Sequence, residues 1–341
     1  MIEDIKDMLA DRQSKELFEC RYAYMLDGDD THYINEMRVS QKYNGLPDWA
    51  AVGNTCVMWG CGKNTRLYSF MAISIHTTVK ACCDSNPDLW GMKLYDMTIL
   101  QPKNMYEKYG DLPLLITVEC ETIRNNIFDL AIDIGWKESD IYFLCLEKNI
   151  NKQYFPDFIK FDVSEYFVDC GVLDGKSTLD FLQLNPSGKV IGFEPSPESY
   201  KEALFLLNNL DFKLINKAVY SKQGEVTFTT NGGMDGHRIM KGGNCTVQAT
   251  TIDEELINEN VTYIKMDIEG AELEALKGAR NTIIRCRPKL AISIYHKPED
   301  IVEIPQYLMA LLPEYDYYIR KYSHACKFEL VLYAIPREGR Y

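Results

Sequence analysis

A chain of 341 residues that is 46% hydrophobic and 26% charged has the composition of an ordinary globular protein, which excludes a disordered one. Its 37 basic residues against 50 acidic ones leave a net charge of −13, and no Lys/Arg run builds the basic face that a nucleic-acid partner requires. The length predicts two domains, at about 100–200 residues each.

The first 45 residues read as a polar helical segment. Ile5, Met8 and Leu9, then Leu17, Phe18 and Tyr22, fall at helical spacing, and Asp27-Gly28-Asp29-Asp30 divides the pattern. Such a segment serves either as a cap or as an oligomerisation arm, which leaves a homo-oligomer open. The start, MIEDIKDMLA, lacks the basic and apolar regions of a secretory leader. No apolar run reaches the roughly 18 residues that cross a bilayer. The eleven cysteines are scattered, with no CxxC and no Cys/His pair at zinc-ligand spacing. These features predict reduced thiols, a cytoplasmic chain and no membrane partner.

Residues 46–150 alternate strand and helix: CVMWG, a helix over Lys63–Ile75, TTVKACCD, a strand over Leu112–Val118, a helix over Glu121–Ile134, and a strand over Asp140–Leu146. Alternation of this kind implies a parallel sheet with helices on both faces. Gly60-Cys61-Gly62-Lys63-Asn64-Thr65 follows the first strand, and Asp84 lies 22 residues beyond Gly62. This GxGxxT turn lacks the third glycine of a dinucleotide fingerprint. With CCDSNPDLWG it resembles Rossmann-like nucleotide-sugar-binding domains. A purely structural sheet, a sugar or nucleotide binder, and a nucleotide-sugar-modifying oxidoreductase all fit it. Residues 147–160, with Asn149, Asn151 and Pro156, read as a linker.

Residues 151–341 repeat the architecture. Strands are predicted over Tyr166–Cys170, Val190–Glu194, Phe212–Val219, Val261–Asp267 and Leu290–Tyr295, with a polar-rimmed ribbon over Glu225–Thr230. Helices are predicted over Lys176–Leu184, Pro197–Asn209 and Ala271–Ile284, and a further one after the fifth strand reaches about Leu312. Two last strands, Tyr315–Lys321 and Phe328–Ile335, are joined by a turn around SHACK too short for a parallel crossover, so they must pair antiparallel. The fold class is therefore α/β, two tandem Rossmann-like domains, the second ending in an antiparallel hairpin.

Three motifs in this half sit at strand ends. Asp169-Cys170-Gly171-Val172-Leu173-Asp174-Gly175 opens a helix, so its glycines let the backbone approach a ligand and Asp169 can hold a cationic group such as an amine. Glu194, in Gly192-Phe193-Glu194-Pro195, lies 19 residues past Gly175, where a ribose-binding carboxylate belongs. Ile264-Lys265-Met266-Asp267-Ile268-Glu269-Gly270-Ala271-Glu272 places a lysine and three carboxylates at a strand's carboxyl end. Strand alternation puts Lys265 and Asp267 on one side, where they bind a ligand or pair with each other. Asp267 and Glu269 offer hard oxygens to a metal, but they share a face only until the strand ends at Gly270, and no metal is expected. His296 ends the strand AISIYH, displayed at a sheet terminus as a proton acceptor or held there as a structural histidine.

The series VDCGVLDGKST, GFEPSP, NKAVY, TIDE, IKMDIEGAELEALKGA, RPKLAISIYH and ELVLYAIP resembles the FkbM-type methyltransferase family over roughly residues 161–336. The resemblance implies an S-adenosylmethionine-binding domain that O-methylates a sugar, glycan or small-molecule hydroxyl. By position it implies Asp169, Gly171 and Gly175 at the methionine end, Glu194 on the ribose, and Ala218 beside the adenine. Asp267 and His296 would face the transferred methyl. Lys176 departs from the family, where an acidic residue is common. A non-catalytic cofactor-binding module stays open beside this reading, because fold alone does not give function.

Overall fold

The computed structural model describes residues 2–43, 52–62, 77–118, 120–143, 153–208, 210, 212–228, 245–322 and 329–337. The chain divides into two units. One comprises Met1–Phe18, Asn151–Arg320 and Leu330–Tyr341; the other comprises Glu19–Ile150 and Lys321–Glu329.

Helices α1 (Ile2–Met8), α2 (Arg12–Asp27) and α3 (Asp30–Tyr43) form the amino terminus. In the first unit, Ile5 and Leu9 are buried, and the Ala10 N–H donates to the Tyr317 carbonyl at 2.8 Å. The Asp11 carboxylate accepts the Ser14 N–H at 2.8 Å, a helix cap that also holds the Arg320 guanidinium.

In the second unit, Tyr33 and Met37 of α3 pack into a core with Cys56, Met58, Ile99 and Leu115. Its sheet contains β1 (Thr55–Trp59), β2 (Thr78–Cys83), β3 (Lys93–Leu94), β4 (Met97–Leu100), β5 (Leu114–Ile116) and β6 (Ile141–Phe143), ordered β3-β4-β2-β1-β5-β6. All neighbours are parallel except the β3–β4 hairpin. That hairpin, turning at Tyr95 with φ +51°, and helix α4 (Pro102–Tyr109) are additions to the predicted pattern. Helix α5 (Glu121–Ile134) has its predicted bounds. The predicted helix over Lys63–Ile75, residues 144–146 of the strand Asp140–Leu146, and the SHACK turn lie outside the described residues.

The first unit's sheet is built from runs apolar on both faces, as a helix-covered parallel sheet requires. Its strands are β7 (Tyr166–Cys170), β8 (Lys189–Phe193), β9 (Phe212–Ile215), β13 (Tyr263–Met266), β14 (Lys289–Ser293), β15 (Tyr315–Lys321) and β16 (Leu330–Pro336). The order is β15-β16-β14-β13-β7-β8-β9, parallel from β14 to β9, with β16 antiparallel to β14. The predicted closing hairpin is present: Tyr322 N–H donates to the Glu329 carbonyl and Arg337 N–H to that of Glu314. Helices α6 (Lys176–Leu184) and α7 (Pro197–Leu206) follow β7 and β8, and Ser196 caps α7 by accepting the Ser199 N–H.

Three expectations need correction. The single strand Phe212–Val219 is two elements, because β10 (Ala218–Val219) leaves the large sheet to join β11 (Gly224–Phe228) and β12 (Cys245–Thr250) in a separate three-stranded sheet. The helix Ala271–Ile284 is also two, α9 (Glu272–Gly278) and α10 (Arg280–Cys286), with α8 (Ile252–Glu255) preceding β13. Gly278 abuts the Tyr220 carbonyl so closely that a Cβ there would lie 2.0 Å from it. The described part of the supposed linker is core: Phe155 and Ile159 are buried, and the Phe155 ring stands 5.6 Å from Phe167 and 5.9 Å from Tyr263. Aromatic burial there outweighs the polar punctuation around it. Helix α11 (Asp300–Leu311) ends near the predicted Leu312.

Candidate functional site

The turn after β7 is held between the tips of β8 and β13. Gly171, Leu173 and Gly175 all have positive φ, at +85°, +51° and +82°, which reverses the chain sharply before α6. A Cβ on Gly171 would lie 2.0 Å from the Asp267 carbonyl oxygen, so only glycine fits there. On the other side, Leu173 N–H donates to Glu194 Oε2 at 2.9 Å. Glu194 is buried just beyond β8, and its Oε1 accepts the Ser196 N–H at 2.8 Å. Backbone donors thus fix the carboxylate beside the glycine turn.

Asp169, the carboxylate that the sequence offers to a cationic group, lies in β7. It is fully buried and accepts from Lys265 Nζ at 3.0 Å, Ser177 Oγ at 2.6 Å and Thr178 Oγ1 at 2.9 Å. Lys265 Nζ also donates to the Gly171 carbonyl at 2.7 Å. Burial works to lower the Lys265 pKa, but Asp169 and Asp267 outweigh it and raise it. The ion pair is therefore Lys265–Asp169, across adjacent strands, and it anchors the turn. Ala218 is buried on β10 against Val247 and Ala249.

Asp267 and His296 meet at the ends of the adjacent strands β13 and β14. His296 Nε2 stands 3.4 Å from Asp267 Oδ1 and 3.5 Å from Glu269 Oε2, and its Nδ1 stands 2.9 Å from Glu272 Oε1. The imidazole side chain is only 7% exposed. Asp267 also accepts the hydroxyls of Tyr154 at 2.7 Å and Tyr295 at 3.1 Å. Burial works to raise the Asp267 pKa, but the nearby imidazole, Lys265 and the Tyr154 hydroxyl together lower it.

For His296, burial works to lower the pKa, and the carboxylates of Glu272, Asp267 and Glu269 overcome it, pushing it up from 6.5 to about 10. At that value the ring is an imidazolium at neutral pH, held by the carboxylates around it. Nitrogen-15 NMR of the chain in EDTA should show His296 ring shifts of the charged form through pH 8. A titration midpoint near 6.5 would show that the carboxylates do not act on the ring as placed.

These strand ends fall inside one recognisable module. Residues 169–319 match the family model of the methyltransferase FkbM domain. A curated relative, the 2-O-methyltransferase NoeI of Sinorhizobium fredii (strain NBRC 101917 / NGR234), is 25% identical over 144 residues. That alignment covers 35% of this chain and 59% of the relative, so the chain spans little more than half the relative's length. The crystal structure of methyltransferase FkbM from Methylobacillus flagellatus KT is similar with a TM-score of 0.54 and 19% identity. It covers 95% of this chain and 99% of that one, which is a likeness of fold.

The matched FkbM domain begins at Asp169 and so leaves out Tyr154, which the sequence reading also missed. Its signal was the aromatic density of Tyr154, Phe155, Phe158 and Phe161, too high for a linker. Tyr295 and the buried Glu272 were missed as partners of Asp267 and His296, although both lie within quoted motifs. In the other unit, Asp84 Oδ2 accepts the Cys61 N–H at 2.7 Å and its Oδ1 the Asn86 N–H at 2.8 Å. Glu194 is held in the same manner beside the FkbM-domain turn. Among the described residues no helix is long and apolar enough to cross a membrane.

Proposed function

We propose that the chain is an S-adenosylmethionine-dependent methyltransferase acting on a hydroxyl of a sugar, glycan or other small molecule. The observation that carries this reading is one glycine turn, inside the FkbM-domain match, touching both Glu194 and Asp267. A carboxylate fixed beside such a turn suits a ribose diol, and the tip of β13 lies on its other side. The relative's name, a 2-O-methyltransferase, supports oxygen as the acceptor atom.

S-adenosylmethionine, when bound, supplies a methyl group on a sulfonium centre that is already a good leaving group. Holding the acceptor in line is then the chain's main task. In this reading Glu194 holds the ribose and the Gly171–Gly175 turn lines the cofactor's methionine end. Asp169 acts through Lys265 to fix that turn, and Ala218 backs the adenine side. Asp267, 24% exposed at its side chain, faces the acceptor hydroxyl together with His296.

Residues 151–341 carry this chemistry, behind a helical segment and a Rossmann-like domain at 46–150. The Asp84 arrangement supports a second, nucleotide-sugar-type ligand in that first domain, and bound nicotinamide would identify the oxidoreductase alternative. Titration calorimetry of the full chain with S-adenosylhomocysteine tests the main reading. Glu194→Ala removes charge-assisted hydrogen bonds worth roughly 1.5–3 kcal/mol each, so affinity should fall about tenfold or more. Tight NAD binding at Glu194 with no response to S-adenosylhomocysteine would overturn the proposal.

A further inference from the structure

We propose that Asp267, Glu272 and His296 bind one divalent cation of the first transition row, with Glu269 at the rim. Only the use of the ion rests on the methyltransferase reading; its binding does not. The sequence pointed away from a metal because Asp267 and Glu269 alone make a poor pair. The fold assembles a different set, with a third carboxylate from α9 and an imidazole from beyond β14.

One ligand atom from each of the three residues lies within 4.8 Å of the others. Donors sharing an ion at about 2.0–2.2 Å stand roughly 3 Å apart when at right angles. An ion takes only one ring nitrogen: beside Nδ1 stands Glu272 Oε1 at 2.9 Å, and beside Nε2 stand Asp267 Oδ1 at 3.4 Å and Glu269 Oε2 at 3.5 Å. Close as these oxygens are, neither ring nitrogen forms a well-aligned hydrogen bond.

Two independent features point the same way. Glu272 is fully buried, and while its Oε1 accepts the Ile268 N–H at 2.8 Å, its Oε2 has no hydrogen-bond partner. A buried carboxylate oxygen without a partner is costly unless a cation meets it. Charge is also unbalanced, since three carboxylates surround one imidazole and Lys265 is turned toward Asp169 and Gly171.

The site is also held in shape. Glu269 at φ +57° and Gly270 at φ +92° reverse the chain, bringing Glu272 back so that its carboxylate accepts the Ile268 N–H. Tyr154 and Tyr295 hold Asp267. One imidazole nitrogen with carboxylate oxygens suits Mn²⁺, Fe²⁺ or Zn²⁺ better than Ca²⁺. Asp267 and Glu269, at 24% and 37% side-chain exposure, leave one side open to an acceptor. A hydroxyl coordinated there loses its proton to solvent more readily than a free one.

The test uses the full chain stripped with EDTA and titrated with MnCl₂, read by electron paramagnetic resonance. The expected result is one Mn²⁺ per chain, with nitrogen-14 modulation of its spin echo from the imidazole. Glu272→Gln and His296→Gln should each weaken binding about 10–100-fold, and the second should abolish the modulation. Wild-type protein that binds no Mn²⁺, or binds it without nitrogen modulation, overturns the site whether or not the variants fold. Binding unchanged in both folded variants also overturns it. Calorimetry with S-adenosylhomocysteine on the same stripped sample keeps the two proposals apart. Binding of S-adenosylhomocysteine without Mn²⁺ removes the cation site alone, and the reverse removes the methyltransferase reading alone.

Discussion

Lys265→Met should destabilise the chain by about 3–5 kcal/mol, because it strands a buried charge. Lys265 is 3% exposed and Asp169 is fully buried, so water cannot replace the lost ammonium. The Gly171 carbonyl loses its donor at the same time, which loosens the turn against Asp267. At about 2–4 °C per kcal/mol for a unit of this size, the melting temperature should drop by about 6–20 °C. The double variant Asp169→Asn/Lys265→Met should recover much of that loss, since a neutral amide can still accept from Ser177 and Thr178. A single variant that melts within 2 °C of wild type would show that the pair is not buried as placed.

That pair also marks where the sequence was legible and where it was not. Short apolar runs punctuated by glycine and proline made β7, β8, β13 and β14 readable, and with them the strand-tip positions of Asp169, Glu194 and Asp267. Which charge meets which was not readable. Alternation placed Lys265 and Asp267 on one side, but the parallel register sets Lys265 opposite Asp169, and there the ion pair forms. Strand β12 was missed although Val247 and Ala249 alternate with polar neighbours, because its partners lie in a separate small sheet. Tyr154 reaches Asp267 across 113 residues, a contact that no local pattern encodes. The pKa of His296 is set by three carboxylates whose convergence depends on one loop reversal, which no local pattern shows.

Asp267→Asn should lower methyl-transfer turnover by about 10²–10⁴-fold while leaving S-adenosylhomocysteine affinity nearly intact. The amide keeps the size of the carboxylate; its oxygen can still accept one of the Tyr154 and Tyr295 hydroxyls while its NH2 donates to the oxygen of the other, so the fold should persist. What it removes is the negative charge beside the acceptor, whether that charge receives the hydroxyl proton directly or holds an ion that polarises the hydroxyl. His296→Gln should behave similarly in direction, because the ring either orders the three carboxylates or ligates the ion with them. The pH profile separates both from a free imidazole base. Such a base would give a rate rising through about 6.5. A ring held at about 10 by its carboxylate neighbours stays protonated across that range, and a ring on a metal does not titrate there either. The wild-type rate should therefore show no limb near pH 6.5 that vanishes in His296→Gln. Such a limb would return His296 to the role of proton acceptor, and a wild-type rate in Asp267→Asn would leave positioning by the rest of the site to carry the reaction.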